Sequence, residues 1–104
     1  MAHKRKPLKV LCVVGARPNF MKIAPLMRVF QGETERFHAT LLHTGQHYDE
    51  AMKDAIFRQL AIPEPDIDLE VGSGTHTEQT AQIMLRFERV LNDLQPDLVL
   101  VVGD

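Results

Sequence analysis

This sequence predicts an α/β fold built on a parallel sheet, from three observations. The aliphatic runs Leu8–Val14 and Leu98–Val102 show no apolar/polar alternation and each closes on a glycine, Gly15 or Gly103, as strands buried on both faces do. Between them lie stretches whose apolar residues recur every three or four positions, the period of a helix resting on a core. Strand-like and helix-like segments alternate in the order β-α-β-α-β-α-β, which right-handed crossovers fold into a parallel sheet covered on both sides.

Each element has its own reason. Leu8–Val14 is short and rich in aliphatic and β-branched residues, and it reads as a central strand. After a turn at Gly15–Asn19, residues Phe20, Ile23, Ala24, Met27 and Phe30 fall on one helix face, while Pro25 within that stretch predicts a kink or an irregular first turn. Phe37–Thr44 is the second strand, ended by Gly45, and Met52, Ile56, Gln59 and Leu60 give a weaker helical stripe that stops before Pro63. Ile67–Val71 is a short third strand, and Gly72-Ser73-Gly74 is a joint. Thr75 and Glu78 have the spacing of a capping box, and Thr80, Ile83, Met84, Phe87, Val90, Leu91 and Leu94 form the stripe of the helix that follows. Asp97–Val102 reads as a last buried strand.

With 104 residues, 44% of them hydrophobic and 25% charged, the chain has the size of one modest domain. A sheet ending on a strand lacks a covering helix, so the chain reads as a piece of a longer protein: a basic tail over residues 1–7, then a partial domain over 8–104. The net charge of −2 offers no global attraction to nucleic acid or an anionic membrane. The basic run His3-Lys4-Arg5-Lys6 is the composition of a solvated tail. The one cysteine, Cys12, sits in an apolar run and allows no internal disulfide, which fits a reducing cytoplasm. No apolar run approaches spanning length and no secretory signal pattern follows the basic start.

In open parallel sheets, ligands bind beyond the carboxyl ends of the strands. Here those ends carry Gly15-Ala16-Arg17-Pro18-Asn19, Thr44-Gly45-Gln46-His47 and Gly103-Asp104. Gly15 permits a tight turn, and Arg17 offers a planar donor fork for phosphate at a helix start, with Lys22 nearby. By spacing alone both read more readily as ordinary surface cations, because the loop is neither a dinucleotide fingerprint nor a P-loop. His43 and His47 are four apart, but Gly45 interrupts any shared helix face, so no metal site is expected. His43 reads as structural, His47 as a ligand contact or a solvent-facing residue, and His76 as part of a helix cap. Asp104 is the acid/base candidate, and equally a candidate N-cap for a following helix.

Gly15-Ala16-Arg17-Pro18 through Lys22-Ile23-Ala24-Pro25-Leu26, Thr44-Gly45-Gln46-His47, Thr77-Glu78-x-Thr80 and Pro96–Asp104 together resemble the non-hydrolysing UDP-N-acetylglucosamine 2-epimerases, from about Lys9 to the last residue. The resemblance implies a full protein of two Rossmann-like domains in the GT-B arrangement, with this chain the first part of the N-terminal one. It implies interconversion of UDP-N-acetylglucosamine and UDP-N-acetylmannosamine by elimination and re-addition of UDP through 2-acetamidoglucal. No metal or nicotinamide takes part, and homodimerisation is implied when the protein is full length. Arg17 and Lys22 would stabilise the departing diphosphate, Asp104 matches an acid/base position, and Gln46 and His47 match a substrate or regulatory site. The chain departs from many members in having Tyr48-Asp49 after Gln-His, and Asn19 where a glutamate often follows Arg-Pro. Residues 1–104 alone are expected to be inactive. The rival readings are a flavodoxin- or receiver-like module that binds a phosphate or a partner without catalysis, and a GT-B glycosyltransferase fragment. A receiver would want clustered acids after its first strand, where this chain has Arg17.

Overall fold

The computed structural model describes residues 6–15, 17–45, 55, 58–59 and 64–102, with positions 17 and 18 described as backbone. Its elements are β1 (Leu8–Val14), α1 (Arg17–Gly32), β2 (Phe37–His43), β3 (Ile67–Asp68), α2 (His76–Leu94) and β4 (Leu98–Val101). The four strands form one sheet in the order β3-β2-β1-β4, every pairing parallel. The expected α/β fold with a Rossmann-like sheet is the observed one. The expected tail lies mostly outside the described residues, as does the stripe over 52–60, of which positions 55, 58 and 59 are helical.

β1 is central, as its unbroken aliphatic run requires, and its side chains feed two cores. Val10, Cys12 and Val14 point to the face covered by α1, where Phe20, Ile23, Ala24, Met27 and Leu41 complete a buried cluster. Leu11 belongs to the opposite face with Leu42 and Leu69, against which Phe87, Val90, Leu91 and Leu94 of α2 pack. Alternate residues of one strand thus serve opposite layers. Burial of this kind contributes about 1.5–3 kcal/mol per large aliphatic or aromatic side chain.

α1 is helical from Arg17 to Gly32 with Pro25 inside it; proline removes the bond to the carbonyl four residues back, and the buried stripe on the other face holds the helix. Three expectations need correction. β3 is shorter than expected because Glu70 takes a positive φ of 53°, which ends the extended run, and the Asp68 carboxylate accepts its N–H at 2.8 Å. β4 is not buried on both faces: it is a sheet edge, and Leu98, Val99 and Val101 are 47%, 39% and 68% exposed. In α2 only the second half of the predicted stripe packs, leaving Thr80 and Met84 exposed.

The caps of α2 follow from local chemistry. Thr75 Oγ1 accepts from Glu78 N at 3.1 Å and Glu78 Oε1 accepts from Thr75 N at 3.2 Å, so the capping box forms in full. At the other end Gln95 adopts a left-handed conformation and donates its N–H to Leu91 O, ahead of Pro96, which cannot continue a helix.

Two strands begin with the same device. Asp66, just before β3, donates its N–H to Leu41 O and accepts Leu41 N on Oδ2, both at 2.8 Å. Asp97, just before β4, donates to Lys9 O at 2.9 Å and accepts Lys9 N at 2.8 Å. Each aspartate follows a proline and precedes an aliphatic residue, in Pro65-Asp66-Ile67 and Pro96-Asp97-Leu98. Asp97 clasps β1 near its amino-terminal end, at Lys9, whereas Asp66 clasps β2 further along, at Leu41, two residues before its last residue His43.

Candidate functional site

The strand order sets where a ligand can enter. From β1 the chain moves to β2 and then β3 on one side, but β4 returns to the other side of β1. The strand order thus reverses between β1 and β4, and in open parallel sheets ligands bind beyond the carboxyl ends of the strands at such a switch point. Val13 pairs with Val101 and Val14 with His43, so the ends of β2, β1 and β4 stand side by side at one rim.

α1 begins at this rim with Arg17, which sets the positive end of its dipole there. Asn19 organises the turn before it. Its Oδ1 accepts the Gly15 N–H at 3.0 Å, and its Nδ2 donates to Val102 O at 3.4 Å. The amide orientation follows from its partners, since a backbone N–H only donates and a carbonyl only accepts. One side chain therefore ties the turn after β1 to the residue that follows β4, 83 positions along the chain.

The neighbouring exit, after β2, is built just as tightly. Thr44 donates its N–H to Val14 O at 3.0 Å. Gly45 has φ of 78°, and a Cβ there would lie 2.5 Å from Glu70 N and 2.6 Å from both Glu70 Cα and Asp68 Oδ1. Only glycine fits both the conformation and the space. The segment it abuts is held from the other side. Val71 and Gly72 donate to Thr44 O and Gly45 O at 3.2 and 2.7 Å, Arg86 of α2 donates to Glu70 O at 2.9 Å and also to Leu69 O, and Gln79 donates to Gly72 O at 2.9 Å. Beneath this exit His43 is 1% exposed, stacked at 5.4 Å from the Phe20 ring, with Nδ1 3.6 Å from Asp68 Oδ2. The structural reading of His43 holds.

The predicted site residues distribute as follows. Arg17 opens α1 at the rim, and Lys22 lies on the next turn with its side chain exposed. Gln46, His47 and Asp104 lie outside the described residues, but the backbone leading to them is fixed as far as Gly45 and Val102. His76 is the first residue of α2 and exposed, as its cap reading requires. Among the described residues no group of three metal-ligating side chains converges, and no helix is long and apolar enough to cross a membrane.

Sequence reasoning missed Asn19 and Arg86 as organisers of the rim. Asn19 carries one local signal, since an amide at the third position of a helix can reach back to the turn before it. Its link to Val102 and the grip of Arg86 on residues 69 and 70 are tertiary contacts without a sequence signature.

Comparison with known proteins supplies the remaining observations. The family model described as UDP-N-acetylglucosamine 2-epimerase matches residues 31–104. A UDP-N-acetylglucosamine 2-epimerase homolog of Methanococcus maripaludis is 42% identical over 97 residues, covering 93% of this chain and 26% of the relative. The UDP-2,3-diacetamido-2,3-dideoxy-D-glucuronate 2-epimerase of Pseudomonas aeruginosa is 37% identical over 97 residues, 93% of this chain and 27% of that protein. The crystal structure of the Methanocaldococcus jannaschii UDP-GlcNAc 2-epimerase in complex with UDP-GlcNAc and UDP superposes with a TM-score of 0.85 at 37% identity, covering 93% of this chain and 26% of that one. The chain thus spans about a quarter of the length of the relatives it matches.

Proposed function

Because this chain belongs to the UDP-N-acetylglucosamine 2-epimerase family, we propose that the whole protein is a non-hydrolysing epimerase that interconverts UDP-N-acetylglucosamine and UDP-N-acetylmannosamine. The observation that carries the reading is the rim itself: a helix N-terminus and the end of β4 meet across the switch point of the sheet, tied together by Asn19. A sugar diphosphate fits such a switch point, with its anionic part at the helix start and its sugar toward the β4 end.

The reaction removes the proton at C2 while the C1–O bond breaks and UDP leaves with that bonding pair. The C2–H electrons become the C1=C2 double bond of 2-acetamidoglucal. UDP then re-adds at C1 and a proton returns to the opposite face of C2. In this reading Arg17 and Lys22 stabilise charge that grows on the diphosphate as the bond breaks, the kind of interaction that speeds a reaction because it strengthens in the transition state. Asp104 serves in proton transfer, and Gln46 and His47 belong to the substrate site or an adjoining regulatory one. Residues 1–7 form a basic tail, and residues 8–104 are the first part of the N-terminal domain of a two-domain GT-B enzyme. That enzyme works as a cytoplasmic homodimer, and the 104-residue piece is inactive by itself.

The test is to incubate the full-length protein with UDP-N-acetylglucosamine in deuterated water. UDP-N-acetylmannosamine carrying deuterium at C2 supports the reading. Sugar transfer to an acceptor points instead to a glycosyltransferase, and binding without turnover to a non-catalytic module. The similarity to the Pseudomonas aeruginosa relative makes UDP-2,3-diacetamido-2,3-dideoxy-D-glucuronate the second substrate to assay. Asp104→Asn in the active full-length protein is expected to preserve folding and lower kcat by about a hundredfold or more, within the range general acid–base catalysis contributes; near-normal turnover rejects its proton-transfer role.

A further inference from the structure

We infer that Asn19 is a positioning residue whose two amide groups have separable tasks: Oδ1 sets the diphosphate-binding turn and Nδ2 sets the strand end that delivers the proton-transfer group. The inference rests on the functional reading above and adds a positioning device to it. Gly15 N–H to Oδ1 at 3.0 Å closes the turn between β1 and α1, and so fixes how the first turn of α1 presents its N–H groups. Nδ2 to Val102 O at 3.4 Å reaches the chain just after Val101, the last β4 residue paired to β1. Regular pairing with β1 stops there, so this bond extends the alignment of the two strands by one more residue toward the rim.

Only an amide carries out both tasks. A carboxylate accepts from Gly15 as well as or better than an amide, but it has no proton for a carbonyl and would set two acceptors against each other. The β1–β4 tie is a property of the asparagine.

The variant Asn19→Asp severs one arm and keeps the other, and Asn19→Ala removes both. In the full-length protein, UDP affinity is read by calorimetry, kcat by conversion at C2, and proton transfer by deuterium exchange at C2. For Asn19→Asp we expect UDP affinity to fall modestly, because the new carboxylate adds negative charge beside the diphosphate, while kcat and exchange fall by a further factor of about ten or more, since misplacing a reacting group by about 1 Å is costly. For Asn19→Ala both affinity and kcat fall. Wild-type kcat in Asn19→Asp, or equal losses of affinity and kcat in it, overturns the inference. If Asn19→Asp does not fold, Asn19→Ala decides: kcat must fall by a larger factor than affinity, and equal losses overturn the inference. A wild-type protein that neither binds UDP nor epimerises a UDP-sugar overturns the functional reading instead, a result distinct from these.

Discussion

Replacing Gly45 with alanine is expected to destabilise the protein far more than the same change at Gly72, although both glycines have nearly the same backbone conformation, with φ of 78° and 74°. A left-handed backbone costs an ordinary residue about 1–2 kcal/mol, and both sites bear that cost. They differ in their surroundings. A Cβ on Gly72 meets nothing within 4 Å, whereas one on Gly45 lies 2.5 Å from Glu70 N and 2.6 Å from Glu70 Cα. These are backbone atoms, and they are pinned by the bonds from Arg86 and by the Asp68 carboxylate, so they cannot step aside as a flexible side chain would. Forced overpacking adds about 1–3 kcal/mol, which gives about 2–5 kcal/mol for Gly45→Ala against about 1–2 kcal/mol for Gly72→Ala. Gly32 serves as a control: it closes α1 and a Cβ there also meets nothing within 4 Å, so alanine should be neutral or stabilising by up to about 1 kcal/mol. Urea unfolding of the three variants in the full-length protein reads the series directly. Equal losses at Gly45 and Gly72 would refute the claim that close contact, rather than backbone conformation alone, makes Gly45 irreplaceable.

Two further expectations follow from local chemistry. Thr75→Ala opens the capping box of α2 and should lower stability by about 1 kcal/mol, while Glu78→Gln, which keeps the acceptor for Thr75 N, should lose less; denaturant midpoints compare the two. Burial pushes the Cys12 thiol from the ordinary 9.0 up to about 11, so at pH 8 a thiol reagent should label Cys12 only after unfolding. The raised value also means that the unfolded chain loses this proton first as pH rises. The contribution of Cys12 to stability is full below pH 9.0 and declines as pH climbs through about 11, which melts of wild type and Cys12→Ala across that range can separate.

The elements legible in the sequence were those whose cause is local. Both bounds of β1 followed from an aliphatic run closed by Gly15, and the capping box followed from two residues at fixed spacing. What stayed hidden depends on neighbours. Leu98–Val101 has the composition of a buried strand, and among the described residues it is the outermost strand beside β1, with its outer side uncovered. The helical stripe of α2 was visible as a period, but which half of it packs depends on where the sheet lies beneath. Pro25 is accommodated inside α1 on an exposed face while the opposite face is buried, a placement its sequence position alone does not show. At the candidate site, Arg17 and the strand ends could be named from their loops, whereas the bridge through Asn19 joins residues far apart in the chain. It needed coordinates.

The aspartate clasp at Asp97 lies at the end of the sheet opposite the rim. Along an extended strand successive carbonyls point to opposite sides, so sliding β4 by a single residue would turn the Val102 oxygen away from Asn19 and offer the next peptide in its place. What prevents that slip is an aspartate holding Lys9 by both its N–H and its carbonyl at the far margin of the sheet. The ladder from there to Val101 is short and rigid, and it transmits that alignment like a ruler fixed at its zero mark. A lesion in the Asp97 clasp would therefore be felt as a shifted strand end at the rim as well as a lost contact, and under the proposed function screens that look for impaired variants only around the rim would overlook it.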